Sequence, residues 1–302
     1  MTETIAVVGT GDMGSAVGAA LARSGYRVVT DSSGRSALSR SLAETAGIED
    51  VGSLPALLDA ADVLLSILPP SAALGFAERV AASIETARAR PLFADCNAVA
   101  PHTLKRIEQR IAAAGAPFVD VGIVGPAPGP RTKAPTRFYA SGGARAALLR
   151  WNVPELRVVD MGPEAGRASA IKMCYAALNK GTDALHAAIL LAAERLGVRP
   201  ELMEELAASQ THAASRMAAR VPFLAATAER YTGEMHEIAA TFEAAGVTPD
   251  FHRGAAWLYG LLARTPLAEE SRATLPAERS LDDAIGVFVE ALAAPEEPDG
   301  SS

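Results

Sequence analysis

Cysteine, aromatic residues and basic clusters are all scarce in this sequence. Its 302 residues include two cysteines, Cys96 and Cys174, without the spacing of a metal site or a disulfide, which favours a reduced, cytoplasmic setting. No run of basic residues is longer than two and the net charge is −7, which argues against nucleic acid and membrane surfaces as partners. The five histidines form no metal-ligand motif, so we expect no catalytic metal.

Long apolar runs and export signals are also missing. The longest apolar stretches, such as AAILLAA, are far shorter than the ~20 residues that span a bilayer. The chain enters TIAVVGTG directly, without a basic flank and an apolar signal core, so we expect no export signal. A content of 49% apolar residues nevertheless supports a large core, and the length suggests two domains.

Strands alternate with helices through the first half of the chain. Short β-branched runs such as TIAVVG, YRVVTD and DVLLSILPP are separated by segments with helical periodicity. This alternation is typical of parallel strands joined by crossover helices, and it predicts a doubly wound sheet. The predicted fold class is α/β, with a Rossmann-type dinucleotide-binding domain at residues 1–164.

The strands stop near residue 165, and the second half has the pattern of an all-helical domain. The segment from AGRASAIK to AAERLG predicts one long helix that ends at Gly197. Further helices are predicted near 201–219, 222–245, 249–264 and 280–293. We therefore expect an all-α domain at 165–302 for substrate binding and dimerisation, with 295–302 disordered.

The segment GTGDMG has the glycine spacing of a dinucleotide-binding turn, and it lies between a predicted strand and a predicted helix. Gly9 would permit the tight turn, Gly11 the approach of a pyrophosphate, and Gly14 the packing of helix on strand. The N-terminus of the helix would then hold the phosphates. The alternative is a glycine-rich turn without a ligand. The residues expected to contact the cofactor here are Gly9, Thr10, Gly11, Asp12, Met13 and Gly14.

The choice between NAD and NADP depends on the end of the second strand, where the sequence reads TDSSGRS. An acidic residue such as Asp31 would bind the ribose diol of NAD, whereas Ser32, Ser33 and Arg35 would suit the 2′-phosphate of NADP. The usual acidic position falls nearer Ser32 than Asp31, which does not decide between the two cofactors; Ser32, Ser33 and Arg35 together favour NADP and leave NAD open. Alternatively, Arg35 is a solvated turn residue.

With these residues in view, the sequence resembles the 3-hydroxyacid dehydrogenase superfamily, which is related to 6-phosphogluconate dehydrogenase. The resemblance rests on GTGDMG at 9–14, DVLLSILPP at 62–70, DCNAVAP at 95–101, DVGIVGP at 120–126 and FYASGG at 138–143. It implies a dinucleotide cofactor, a small-molecule substrate and dimers joined through the helical half. It also implies that Leu68, Pro69 and Asn97 lie at the cofactor.

The same resemblance assigns the chemistry to a lysine on the interdomain helix, which falls on Lys172, but it is incomplete at the other site positions. Asn97 and Ala98 replace the Ser-Thr pair of the family, and Val124 stands where the family has Ser. The Asn expected one turn after the lysine is Ala176. The match looks closest to a divergent branch whose helical part carries GEMHEIAATF and whose substrate is open.

The long helix carries a polar stripe whose members lie along one side. In chain order they are Lys172, Tyr175, Asn179, Asp183 and His186. The stripe either borders a cleft or faces solvent. We expect Lys172 to relay the proton of an alcohol oxidation, helped by a burial-lowered pKa, with Tyr175 sharing the proton. The alternative for Lys172 is an ordinary surface lysine.

The loop GIVGPAPGPRTKAP at 122–135 is the expected substrate-binding segment. Backbone N–H groups near Gly122, Val124 and Gly125 would bind a substrate carboxylate. Asn97 would supply the amide that Ala176 lacks, or it is a turn residue. Arg131 and Lys133 would add positive charge for that carboxylate, although a plain surface role is favoured for both. Glu234, His236 and Glu237 are candidates for the rim of the site, and a charged helix start is the ordinary alternative.

These observations predict an NADP-dependent oxidoreductase acting on a small hydroxy acid or its oxo form. An imine reductase of the same superfamily is a second possibility, because Ala176 breaks the Lys–Asn pair. A non-catalytic NADPH-binding sensor is a third. We also expect a homodimer through the Ala-rich helical domain, which would otherwise expose apolar surface.

Overall fold

A computed structural model describes residues 2–85, 87–270 and 274–293 of the chain. The chain divides into two compact units, Met1–Tyr175 and Ala176–Ser302. The segment 295–302, which was expected to be disordered, lies outside the described residues.

The first unit is built on an eight-stranded sheet with the order β3-β2-β1-β4-β5-β6-β7-β8. The order reverses at β1, which has β2 on one side and β4 on the other, and open α/β sheets bind ligands beyond the carboxyl ends of strands at such a point. The strands are β1 (Thr4–Val8), β2 (Arg27–Thr30), β3 (Glu49–Asp50), β4 (Val63–Ser66), β5 (Leu92–Asp95), β6 (Phe118–Val124), β7 (Thr136–Ser141) and β8 (Leu156–Asp160).

Helices cover both faces of this sheet. Successive residues of β1 alternate between two apolar cores, with Ile5 and Val7 on one face and Ala6 and Val8 on the other. The prediction of a doubly wound α/β sheet is therefore confirmed. The helices of the unit are α1 (Asp12–Arg23), α2 (Ala37–Thr45), α3 (Leu54–Ala60), α4 (Pro70–Ile84), α5 (Pro101–Ala113), α6 (Ala146–Leu149) and the start of α7 (Arg167–Arg195).

One pairing differs from the prediction of parallel strands throughout. Strand β7 runs antiparallel to β6, and the direction is parallel again between β7 and β8. The segment 125–135 that joins β6 to β7 contains no helix. Because a parallel return needs a crossover connection, the chain turns back on itself here and pairs antiparallel.

The second unit is helical, as predicted. It contains the C-terminal part of α7 together with α8 (Arg199–Ser209), α9 (Thr211–Arg220), α10 (Ala228–Ala244), α11 (Asp250–Ala263) and α12 (Leu281–Ala293). In the described part of the chain, no helix has the length and apolar character needed to cross a membrane.

The helix predicted at 201–219 is two helices, α8 and α9, because the backbone leaves the helical conformation at Gln210. Hydroxyl groups on both sides of this break bond to carbonyls of the preceding turn. Ser209 donates to the Glu205 carbonyl at 2.9 Å and Thr211 to the Ala207 carbonyl at 3.2 Å. Such side-chain bonds compete with the helical backbone and favour its interruption.

Candidate active site

The glycine turn between β1 and α1 is shaped by two close backbone approaches. Gly9 has a φ of +96°, and a Cβ there would lie 2.1 Å from the Ile67 carbonyl oxygen. A Cβ on Gly14 would lie 2.1 Å from the carbonyl oxygen of Gly9. The fold therefore requires glycine at both positions, the first for the turn and the second for packing α1 against it.

Gly11 differs, because no heavy atom lies within 4 Å of the Cβ it lacks. It is the N-cap of α1 and makes no side-chain cap bond. The turn thus leaves open space against the N-terminus of a helix, and this is the arrangement that holds a dinucleotide pyrophosphate. The residues present therefore fit a dinucleotide cofactor.

Four further residues predicted at the cofactor surround this turn. Thr10 is buried and donates to the Ser39 carbonyl at 2.9 Å, so its hydroxyl fastens the turn to α2. Met13 packs against the apolar core, Leu68 is buried, and Pro69 is the N-cap of α4. Because β1 and β4 are neighbours, the loops that carry these residues emerge side by side at the carboxyl edge of the sheet.

The residues after β2 that are predicted to distinguish NAD from NADP form a local hydrogen-bond network. Asp31 Oδ1 accepts the N–H of Ser33 at 3.0 Å and its hydroxyl at 2.5 Å. Ser32 is buried, and its N–H donates to Asp50 Oδ1 at 3.2 Å. The pKa of Asp50 is lowered, first by the N–H of Gly52 and also by bonds from Ser32.

A cavity of about 450 Å³ opens beside this network. Arg35 and Ser33 line it from the loop after β2, and Arg79 lines it from α4. Leu57 and Phe76 form part of its apolar wall. Sequence analysis missed Arg79, since an arginine inside a helix carries no signal of its own.

Asn97, predicted to contact both cofactor and substrate, is buried within the protein. Its Nδ2 donates to Ser66 Oγ at 3.0 Å and to Asp95 Oδ1 at 2.5 Å, and its Oδ1 accepts the Leu68 N–H at 2.6 Å. Both N–H groups of the amide are therefore used in joining the carboxyl ends of β4 and β5. This geometry makes Asn97 a residue that shapes the edge of the sheet.

Lys172, the predicted proton relay, reaches this same edge. Its Nζ donates to the backbone carbonyl of Cys96, directly after β5, at 2.8 Å. Burial lowers the pKa of Lys172, while the carboxylates of Asp95 and Asp120 oppose that shift. The amine thus lies beside Asn97, within the first unit, and its proton is easier to remove than that of a solvated lysine.

Asp95 is a buried carboxyl that sequence analysis noted only as part of a motif. Its Oδ1 accepts the backbone and side-chain N–H groups of Asn97, whereas its buried Oδ2 has no partner among the described residues. Burial raises the pKa of Asp95 to about 7, although the Asn97 bonds and Lys172 act in the opposite direction. The sequence signal that could have identified it is an acidic residue, Asp95, at the end of the otherwise apolar strand PLFAD.

Asp120 and Gly122 of β6 fix the start of α7. Asp120 Oδ2 accepts the N–H groups of Gly166 and Ser169 at 2.9 and 3.0 Å, and Oδ1 accepts the Ser169 hydroxyl at 2.5 Å. A Cβ on Gly122 would lie 2.2 Å from the Ala168 carbonyl oxygen. Asp120 therefore caps α7 from a distance, and Gly122 allows close packing. Together they set the position of Lys172 one turn further on.

The other residues predicted around the lysine differ in how far they are exposed to solvent. Tyr175 is 51% exposed, Ala176 is buried, and Val124 is buried at the end of β6. Gly125 has a φ of +118°, so it begins the connecting loop in a conformation that favours glycine. Arg131 and Lys133 of that loop are exposed.

In the second unit, the predicted acidic residues Glu234 and Asp183 are ion-paired. Glu234 is paired with Lys180, and Arg230 lies 3.8 Å from its other oxygen. Asp183, only 2% exposed, accepts from Arg216 at 2.9 Å and from Arg220 at 3.3 Å. His186 is buried and His236 is exposed. No group of three potential metal ligands occurs within residues 2–85, 87–270 and 274–293.

Comparison with protein families identifies both parts of the chain. Residues 4–149 match the NAD binding domain of 6-phosphogluconate dehydrogenase. Residues 193–262 match a domain of unknown function, DUF1932. No curated protein sequence matches the chain.

Solved structures with the same fold span nearly all of the chain. A conserved protein of unknown function, itself described as structurally similar to 3-hydroxyacid dehydrogenases, is 27% identical over 86% of this chain and 96% of its own, with a TM-score of 0.62. The 3-hydroxyisobutyrate dehydrogenase of Mycobacterium tuberculosis, solved with L-serine, is 20% identical over 97% and 100%, with a TM-score of 0.65. A reductive aminase from Aspergillus terreus, solved with NADPH and ethyl-5-oxohexanoate, is 19% identical over 95% and 100%, with a TM-score of 0.53. The predicted resemblance is confirmed, and residues 4–149 form a domain of the NAD(P)-binding type.

Proposed function

We propose that this chain, a dehydrogenase or reductase of the 3-hydroxyacid and 6-phosphogluconate dehydrogenase superfamily, uses NADP and interconverts a small hydroxy acid and its oxo form. Lys172 is the proton relay of this proposal. The observation that carries it is the 2.8 Å bond from Lys172 Nζ to the Cys96 carbonyl. That bond holds an amine beside the strand ends at which the fold family binds its cofactor.

The proposed chemistry divides hydride transfer from proton transfer. When bound, the nicotinamide supplies or accepts the hydride at the substrate carbon. In the oxidation direction, the neutral amine of Lys172 takes the proton of the substrate hydroxyl as the C–O bond becomes a carbonyl. In the reduction direction, the ammonium returns that proton to the oxygen. Burial lowers the pKa of Lys172, so the neutral amine that this step needs is easier to reach than for a solvated lysine.

The substrate is proposed to bind at residues 122–135, which form the end of β6 and the loop that follows it. Backbone N–H groups near Gly122 and Gly125 are suited to a carboxylate, since oriented amides bind anions. Val124 is apolar, so it offers no hydroxyl to such a group. A small carboxylate-bearing substrate held by backbone groups is consistent with this lining.

The proposal is tested by replacing Lys172 with methionine, which keeps the length of the side chain and removes the amine. We expect turnover with NADP and a panel of 2- and 3-hydroxy acids to fall by about 10²- to 10⁴-fold, with cofactor affinity retained. Lys105→Met, at an exposed position on α5, is the matched control and keeps full turnover. Full turnover of the Lys172→Met protein contradicts the assigned role.

Imine reduction is the second candidate, and Ala176 favours it. This buried alanine, one turn after Lys172, places no polar group where the family resemblance implies an asparagine. Turnover of a cyclic imine with NADPH, without activity on hydroxy acids, would establish this alternative. Tight NADPH binding without turnover of either panel would instead indicate a sensor.

A homodimer in the cytoplasm is the expected form of the protein. Leu178 and Leu185 are 69% and 58% exposed, and their spacing of seven residues puts them on one face of α7. Leu196, directly after the helix, is 75% exposed. A second copy would cover this apolar stripe, and light scattering after gel filtration measures the resulting mass.

Cys174 is an exposed free thiol, which is consistent with a reducing compartment.

A further inference from the structure

The cavity beside the loop after β2 contains more positive charge than sequence analysis anticipated. Arg35 lines it from the loop and Arg79 from the third turn of α4. Within the part of the chain that the structure describes, neither guanidinium forms an ion pair. Arg79 lies over the ring of Phe76, with 5.5 Å between its guanidinium carbon and the ring centroid.

The serines of the loop are committed to other contacts. Ser33 gives both its N–H and its hydroxyl to Asp31, and Ser32 is buried against Asp50. These serines therefore cannot be the main ligands of a phosphate group without giving up those bonds. The two free guanidiniums are the groups left to bind an anion, and guanidinium is well matched to phosphate oxygens.

The charged residues that line the cavity favour a dianion over a neutral diol. Asp31 also lines the cavity and contributes one negative charge against the two positive charges of Arg35 and Arg79. A ribose diol would leave this positive excess unmatched, whereas a phosphate monoester carries about −1.5 to −2 at pH 7. The apolar wall of Leu57 and Phe76 is suited to the flat face of a purine base.

We infer that Arg79, together with Arg35, selects NADP over NAD by binding the 2′-phosphate of the adenosine half in this cavity. This inference rests on the proposed function, because it gives a physical origin to the cofactor preference stated there. It assigns that preference to a residue of α4, more than 40 positions beyond the loop that usually decides it.

The test measures the dissociation constants of NADPH and NADH, without substrate, for the wild-type protein and for Arg79→Gln. We expect Arg79→Gln to weaken NADPH binding by about tenfold or more and NADH binding by less than about twofold. Arg35→Gln should give a loss of the same kind. Arg106→Gln, at an exposed arginine of α5 outside the cavity, is the matched control and changes neither constant.

The outcomes separate this inference from the proposed function. If the wild-type protein prefers NADPH and Arg79→Gln weakens both cofactors equally or neither, Arg79 is not the selecting residue and the proposed function still stands. If the wild-type protein prefers NADH, both the inference and the proposed NADP dependence are overturned. A selective loss of NADPH binding that also shrinks with added salt supports the inference, because a screened phosphate contact behaves in this way.

Discussion

The two units of the chain hold their buried charges in different ways. In the first unit, Asp95, Asp120 and Lys172 are bound by backbone groups, hydroxyls and an amide, and none of the three forms a direct ion pair with another described residue. In the second unit, Asp183 and Glu234 are neutralised by arginine and lysine side chains. Paired charges stabilise a particular packing, whereas Asp95 and Lys172 have pKa values shifted by burial, which suits proton exchange. We therefore propose a chemical role for Asp95 and Lys172 of the first unit and a structural role for the ion pairs of the second.

The largest effect on stability is expected at Asp183 in the second unit. Asp183→Asn removes the charge that Arg216 and Arg220 share, and we expect it to lower the free energy of unfolding by about 3 kcal/mol, a value reduced because both arginines reach solvent. Turnover per folded molecule should not change. Denaturant titration and an activity assay on the same samples measure the two quantities.

Glu243→Gln is the control for that experiment, because Glu243 is an exposed carboxylate that also pairs with an exposed arginine, Arg253. An exposed pair contributes less than about 1 kcal/mol. Equal destabilisation by the two substitutions, or a loss of turnover in Asp183→Asn, would break the distinction between the units.

A smaller effect on stability, combined with an effect on turnover, is expected at Asp120. Asp120→Asn keeps one acceptor oxygen but loses the charge at the N-terminus of α7, which should cost about 2 kcal/mol. Because Asp120 fixes the helix that carries Lys172, turnover should fall while the dissociation constant of NADPH stays the same. Ser169→Ala, which removes one hydroxyl donor to Asp120, should produce a weaker form of both effects.

The smallest effect is a change in the pH dependence of stability at Asp95. The folded-state pKa of about 7 lies above the usual value of Asp, so the folded protein binds this proton more tightly than the unfolded chain. The associated stability is complete below about pH 4 and is lost as the pH rises through 7. In Asp95→Asn, the difference in unfolding free energy between pH 5 and pH 8 should change by ~1–2 kcal/mol in the direction of greater relative stability at pH 8. An unchanged difference would show that Asp95 is ionised throughout this range.

The sequence predicts the features that depend on periodicity and on short motifs. The alternation of strands and helices is confirmed, and so is the dinucleotide-binding type of domain suggested by GTGDMG. The antiparallel strand β7 was not predicted, since only the missing helix at 125–135 signals it.

The site residues divide along the same line. Lys172 is visible in the sequence as a lysine on a largely apolar helix, but Asp120 acts on it through contacts between β6 and α7 that span more than 40 residues. The side-chain amide of Asn97 was predicted to contact cofactor and substrate, but it forms hydrogen bonds with Ser66, Asp95 and Leu68, which packing of β4 against β5 brings to it. Arg79 enters the cavity from a helix whose only readable pattern is its apolar face. Contacts between distant segments are set by tertiary packing, and local sequence patterns do not encode them.

We propose that Lys172 brings its amine to the reacting part of the cofactor, and a crystal structure with NADPH and a substrate analogue tests this placement. We expect Nζ to keep its bond to the Cys96 carbonyl and to lie within hydrogen-bond distance of the analogue oxygen beside the nicotinamide ring. An amine that points into bulk water, away from that ring, would contradict the proposed role of Lys172.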